Sequence, residues 1–189
     1  MDKNSNKKNL ISNIIYYTIL AIFIIIILIY RVDVWINEPC FFGDEGALIY
    51  NLQNKSFFQL FSGLELAQSC PLFFMLFNKI IYSIFGLNEV ALRFYPFFTG
   101  FFAVCLIPLL CKKIFNSKYM AFIFIGLLAF NGNVVYNSQE FKQYSSDILF
   151  IILYLILFYT FKDKIKNEKD ALITGIILGI SGFFSICTE

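Results

Sequence analysis

An adjacent acidic pair, Asp44-Glu45, stands between Gly43 and Gly46 just beyond a very apolar N-terminal stretch. Two carboxylates in a glycine-flanked turn at that position point to chemistry at a membrane surface. A second polar cluster lies downstream, where Glu140, Gln143, Tyr144 and Asp147 fall at i, i+3, i+4 and i+7. A helix through them presents all four on one face. An acid such as Asp147 is costly where a helix enters lipid, so by default it marks a polar cavity or site. The competing reading is that Lys142 and these acids mark the water interface.

Composition places the pair at a membrane. Of 189 residues, 59% are hydrophobic, 20% aromatic and 15% charged, whereas a soluble fold of this size needs a more polar surface. The fold class expected is an all-α polytopic membrane protein. The formal net charge of +2 is too small, and its basic residues too scattered, for a nucleic-acid partner.

Five stretches approach the roughly 20 residues needed to cross a bilayer: Leu10 to Tyr30, Ala91 to Cys111, Tyr119 to Tyr136, Ser145 to Phe161 and Ala171 to Cys187. The first holds no charge. Its apolar run exceeds that of a cleaved signal peptide and no small-x-small site follows it, which favours a retained anchor. Lys3, Lys7 and Lys8, then Lys112, Lys113 and Lys118, then Lys162, Lys164, Lys166 and Lys169 fall on one side under a five-span count. The positive-inside rule makes that side cytoplasmic. Residues 1–9 then form a cytoplasmic tail, residues 10–189 the transmembrane region, and the loop 31–90 lies outside the cell membrane. Within that loop, Ala47 to Phe61 and the run from Pro71 to Ile84 have the spacing of short interfacial helices, or of a loop resting on lipid.

Four segments in order carry a resemblance: Asp44-Glu45, then Gln68-Ser69-Cys70-Pro71-Leu72-Phe73, then Phe85-Gly86-Leu87-Asn88-Glu89-Val90-Ala91-Leu92-Arg93, then Glu140-Phe141-Lys142-Gln143-Tyr144-Ser145-Ser146-Asp147. From Asp44 to about Ser185 the chain resembles bacterial relatives of the protein O-mannosyltransferases. These are GT-C membrane glycosyltransferases, grouped with the lipid A aminoarabinose transferases. The resemblance implies transfer of a sugar from a polyprenyl-phosphate donor to an acceptor hydroxyl at the outer face of the cytoplasmic membrane. It makes Asp44, with Glu45 beside it, the candidate catalytic pair, Asp44 serving as general base. A cation near the surface would stabilise the departing phosphate. Arg93, whose guanidinium matches phosphate oxygens in a two-pronged geometry, is the first candidate and Lys142 the second. Glu140, Tyr144 and Asp147 complete the candidate substrate-binding set.

A divalent metal cation is a further expectation, because some members of the superfamily use one and hard cations favour clustered carboxylates; Asp44, Glu65 and Glu140 are the candidates. The chain has no histidine, which removes the usual zinc ligand. Cys40 and Cys70 can pair only if folding brings them close, and Cys70 reads rather as a packing residue. Relatives carry more spans than this chain, so the resemblance implies an N-terminal portion, with a second chain as a possible partner supplying the rest. A catalytically silent membrane protein binding a lipid-linked sugar or a partner subunit is the alternative. Five spans with no internal repeat do not resemble a secondary carrier.

Overall fold

The structure, a computed structural model, describes residues 3–37, 41, 43–115, 117–162, 165, 167–183 and 187–188. It is built from helices, as its composition requires, with a single two-residue ladder among the described residues. Helix α1, Lys3–Asn37, runs on past Tyr30, where the first span was expected to end. The reason is periodicity: Tyr16, Leu20, Ile27 and Arg31 are buried at helical spacing, so the buried stripe continues through the arginine. Arg31 is thus a helix residue inside the protein rather than the start of a loop.

Next come α2, Asp44–Asn54, α3, Leu72–Phe85, and the single turn α4, Glu89–Leu92. Asn88 caps α4 by accepting from the Ala91 N–H at 2.9 Å. The central helix α5, Phe94–Phe115, starts afresh after Arg93. Pro96 has no N–H to offer the Leu92 carbonyl, and the first turn of a helix is where proline costs least, because its N–H would be unpaired there anyway. Helix α5 packs against α1, against α6, Met120–Ala129, and most extensively against α8, Tyr144–Phe161. Helix α9, Glu168–Phe183, follows.

The stretch Tyr119 to Tyr136, expected as one span, is two helices: α6 and the short α7, Gly132–Asn137. Asn131 makes the break. Its side chain accepts from the N–H groups of Asn133 and Val134 at 3.1 and 3.3 Å, capping a new helix that starts at Gly132. Among the described residues three segments are long and apolar enough to cross a membrane: Asn9–Asn37, Glu89–Phe115 and Tyr144–Phe161.

Two hydrophobic cores result. The first lies among the long helices and joins Tyr16, Leu20 and Ile27 of α1 to Ala103, Val104 and Ile107 of α5, Ile125 of α6 and Ile152 of α8. The second lies at one end of the bundle and joins Leu48 and Leu52 of α2, Phe74 and Met75 of α3, Leu92, Tyr95 and Phe141. The short helices expected to lie along the interface, or as a loop resting on lipid, instead pack on one another as a cap with an interior of its own. Its first helix stops at Asn54 instead of reaching Phe61, and Lys55 turns extended. A reciprocal pair starts the next turn: Ser56 N–H donates to Gln59 Oε1 at 2.8 Å, and Gln59 N–H to Ser56 Oγ at 3.4 Å. That turn is the 3₁₀ segment Gln59–Ser62. Lys79 donates to the Leu52 carbonyl at the C-terminal end of α2, a favourable place for a cation, although burial lowers its pKa. Strand β1, Cys70–Pro71, pairs antiparallel with β2, Cys187–Thr188.

The bundle has two chemically different ends. At one, Lys118 meets Asn13 of α1 at 2.6 Å, and α5 finishes with Lys112 and Lys113. At the other, Trp35 donates to the Val90 carbonyl at 3.2 Å and stacks on Phe97 with ring centroids 4.6 Å apart. The cap covers this second end.

Candidate functional site

Gly43 precedes α2 with φ +45°, a left-handed backbone that glycine adopts without strain. The turn delivers Asp44 and Glu45 to the first turn of α2, where the positive end of the helix favours acids. Their fates then diverge. The Asp44 side chain is 77% exposed. Glu45 is 5% exposed and is held from two sides. Arg93 Nη2 lies 3.5 Å from Glu45 Oε2, and the Phe141 N–H donates to Glu45 Oε1.

Phe141 explains the placement of Lys142. Its ring is fully buried in the cap core, 5.2 Å from the Phe74 ring and 5.9 Å from that of Phe41. With Phe141 anchored and its N–H on Glu45, the next residue emerges beside Asp44. Lys142 Nζ lies 3.6 Å from Asp44 Oδ2 and 3.3 Å from Gln68 Oε1. The lysine is largely buried, so its charge faces a carboxylate and an amide rather than snorkelling to lipid headgroups.

Gln68 is reached through a constrained loop. Leu66 and Ala67 have φ of +61° and +52°, a left-handed conformation uncommon for residues with a side chain and concentrated at functional turns. Asn51 holds that loop to α2: its Oδ1 accepts from Glu65 N–H at 2.7 Å, and its Nδ2 donates to the Glu65 carbonyl at 3.1 Å.

Arg93 is 4% exposed. Its guanidinium rests 5.1 Å from the Phe41 ring centroid while facing Glu45. In this arrangement the cation beside the exposed carboxylate is Lys142, whereas Arg93 faces the buried Glu45.

The single helical face expected for Glu140, Gln143, Tyr144 and Asp147 is not formed. Helix α8 starts at Tyr144, and Glu140 to Gln143 lie in the bends before it. Burying Phe141 requires the chain to turn there, and Lys142 N–H closes that turn on the Glu140 carbonyl at 2.7 Å. Tyr144 is exposed, and Asp147 is half-buried in the first turn of α8.

The metal candidates do not gather either. Glu65 is 55% exposed and faces Lys55 at 3.8 Å, while Asp44 faces Lys142. Among the described residues no three His, Cys, Asp or Glu side chains stand together as a ligand set. Cys70 is buried in the cap core as a packing residue. Cys40, its proposed partner, lies outside the described residues.

Sequence reasoning passed over a buried polar knot at the chain segment leading to Phe141. Arg31 Nη1 donates to Ser138 Oγ at 2.8 Å, and Ser138 Oγ donates to the Val135 carbonyl at 2.7 Å. Ser145 Oγ donates to the Asn137 carbonyl at 3.0 Å. These bonds tie α1 to the connection that carries Phe141 and Lys142. Among the described residues Arg31 Nε and Nη2 have no hydrogen-bond partner. Gly100 of α5 makes the approach possible: a Cβ there would stand 2.8 Å from Ser138 Cβ and 3.0 Å from Arg31 Nη1. Gly100→Ala is expected to destabilise the protein by about 1–3 kcal/mol, the range for overpacking a filled interior, measured by denaturation in detergent. The available signal was the stripe Tyr16, Leu20, Ile27, Arg31, which needs α1 to continue beyond its apolar run.

The family model for dolichyl-phosphate-mannose-protein mannosyltransferases matches residues 69–185. The chain belongs to that family. It is accordingly a membrane protein of the GT-C glycosyltransferase type. No curated protein and no solved structure matches it. The stretch shared with the mannosyltransferase family holds Arg93, Glu140, Lys142, Tyr144 and Asp147 but neither Asp44 nor Glu45. Two ion pairs, Glu45 with Arg93 and Asp44 with Lys142, join the acidic pair to the matched region.

Proposed function

We propose that this chain transfers a sugar from a polyprenyl-phosphate donor to an acceptor hydroxyl, with Asp44 as general base. The observation that carries the reading is the exposed Asp44 carboxylate with Lys142 3.6 Å away, in a chain of the mannosyltransferase family. Asp44 takes the acceptor's proton as its oxygen attacks the anomeric carbon. The bond from that carbon to the phosphate oxygen breaks, and the polyprenyl phosphate departs with the electron pair. Lys142 orients Asp44, and its ammonium draws the donor phosphate to the same surface and offsets the charge developing there. Glu45 and Arg93 act on the reaction by holding Phe141 and the start of α2 in place.

Orientation belongs to the same proposal. The site lies at the end of the bundle away from Lys112, Lys113 and Lys118. The positive-inside rule assigns that lysine-bearing end to the cytoplasm and so the site to the outer face, where a lipid-linked rather than a nucleotide-linked donor is accessible.

The test is sugar transfer in proteoliposomes supplied with polyprenyl-phosphate-mannose or with a nucleotide-linked mannose. Transfer from the lipid donor alone supports the proposal; transfer from the nucleotide donor, or from neither by folded protein, overturns it. Lys142→Met is expected to reduce kcat/KM about 100-fold, comparable with removing one group that stabilises a developing anion. Lys142→Arg, which keeps the charge, should recover part of it. Equal activity in Lys142→Met and wild type would remove the lysine from the mechanism.

A further inference from the structure

The opposite end of the bundle carries a feature with no part in sugar transfer. A furrow opens between α1 and α6 beside Lys118. Its wider part, about 470 Å³, is lined by Ile11, Ile15, Tyr16, Ile19, Tyr119 and Phe122. A second part of about 250 Å³ shares Ile19 and Phe122 and extends past Phe23 to Ile26. The furrow exists because α6 is short and bulky rings meet across it: Tyr16 and Phe122 have centroids 5.5 Å apart, Phe23 and Phe122 6.2 Å. From Ile11 to Ile26 it runs about 22 Å along α1 at the helical rise. One leaflet's hydrocarbon is about 15 Å deep, so an extended acyl chain fits along it.

Its mouth is polar and positive. Ser12 Oγ and Tyr119 OH lie 3.4 Å apart there. Lys118 Nζ contacts the neutral Asn13 amide and stands 5.1 and 5.3 Å from the Tyr16 and Tyr119 ring centroids. Among the described residues no carboxylate lies within ion-pair distance of it. Lys112 and Lys113 add charge of the same sign at this end.

We propose that the furrow holds one anionic phospholipid, with an acyl chain along Ile11 to Ile26 and its phosphate at Lys118. Length selects a lipid chain, and charge selects an anionic headgroup over a zwitterionic one. A polybasic surface gains about 1 kcal/mol per lysine near anionic lipid, which is about fivefold in retention.

The experiment reconstitutes the full chain in nanodiscs of phosphatidylglycerol or phosphatidylcholine, releases it into mild detergent and counts retained lipid by native mass spectrometry. One retained phosphatidylglycerol, exceeding phosphatidylcholine about fivefold, is expected, with Lys118→Met lowering it about fivefold. Ile19→Trp, which fills the furrow without changing charge, should lower retention of both lipids. Lys169→Ala, which removes the same charge elsewhere, should leave retention unchanged. Equal retention of both lipids by wild type, unchanged retention in Lys118→Met, or a dimer carrying no lipid would overturn the assignment. Melting temperatures in the same detergent show that each variant is folded.

Discussion

Asp44→Asn is expected to lower sugar transfer about 10²- to 10⁴-fold, the contribution of a positioned general base, while leaving membrane insertion and stability nearly unchanged. Asparagine has almost the same shape, but its amide does not accept a proton at neutral pH. Because the Asp44 side chain is 77% exposed, the substitution distorts no core, and the largely buried Lys142 keeps an amide oxygen at position 44 and Gln68 Oε1 to donate to. The measurement is initial rate at saturating lipid-linked donor, with the melting temperature as a folding control. Glu140→Gln is the informative comparison, since Glu140 lies in the same bend as Lys142 but outside the Asp44 pair. Full activity in Asp44→Asn with loss in Glu140→Gln would move the base to Glu140.

Arg93→Met is expected to act on the fold first, with a loss of about 3–5 kcal/mol. Glu45 and Arg93 are both nearly inaccessible, with side chains 7% and 5% exposed, and removing one member of such a pair leaves a charge buried without its counterion. Methionine keeps much of the volume next to Phe41 and isolates the electrostatic effect. The double substitution Glu45→Gln with Arg93→Met should recover much of the loss. Glutamine keeps an oxygen to accept the Phe141 N–H, and no net charge is then buried. Equilibrium denaturation of the two single variants and the double variant in detergent gives the coupling directly. Additive losses would show that the pair makes no net interaction. The same variants connect stability to activity: Glu45→Gln should lower transfer less than Asp44→Asn does, because its part is to hold the surface that Asp44 and Lys142 share.

Much of this architecture was legible in the chain. Apolar composition and run length imposed a helical membrane protein, since buried backbone groups in lipid must be satisfied within helices or closed barrels. The Pro71 start of α3 was legible as well. Boundaries were less so where local chemistry intervened. Asn131 divides α6 from α7 by capping, and Ser56 with Gln59 ends α2 early, although both stretches are apolar enough to continue. The cap core was illegible because its contacts join residues far apart in the chain, such as Phe141 with Phe74 and Leu48. The i, i+3, i+4, i+7 face from Glu140 to Asp147 presumed a helix, and burial of Phe141 outweighs that local pattern.

The sequence by itself determined that helices form, that Asp44 and Glu45 share a glycine-flanked turn, and which acids and cations were available. These are local properties, set by hydropathy, spacing and backbone freedom. Only the tertiary structure decided which carboxylate is which. Adjacent residues in the first turn of a helix point about 100° apart, so one acid of the pair faces the core and the other faces solvent. Burial then demands a partner for the inner carboxylate, which Arg93 and the Phe141 N–H supply, while Lys142 reaches the outer one. Two acids that look alike in the chain are thereby separated into a buried anchor and an exposed reactive group.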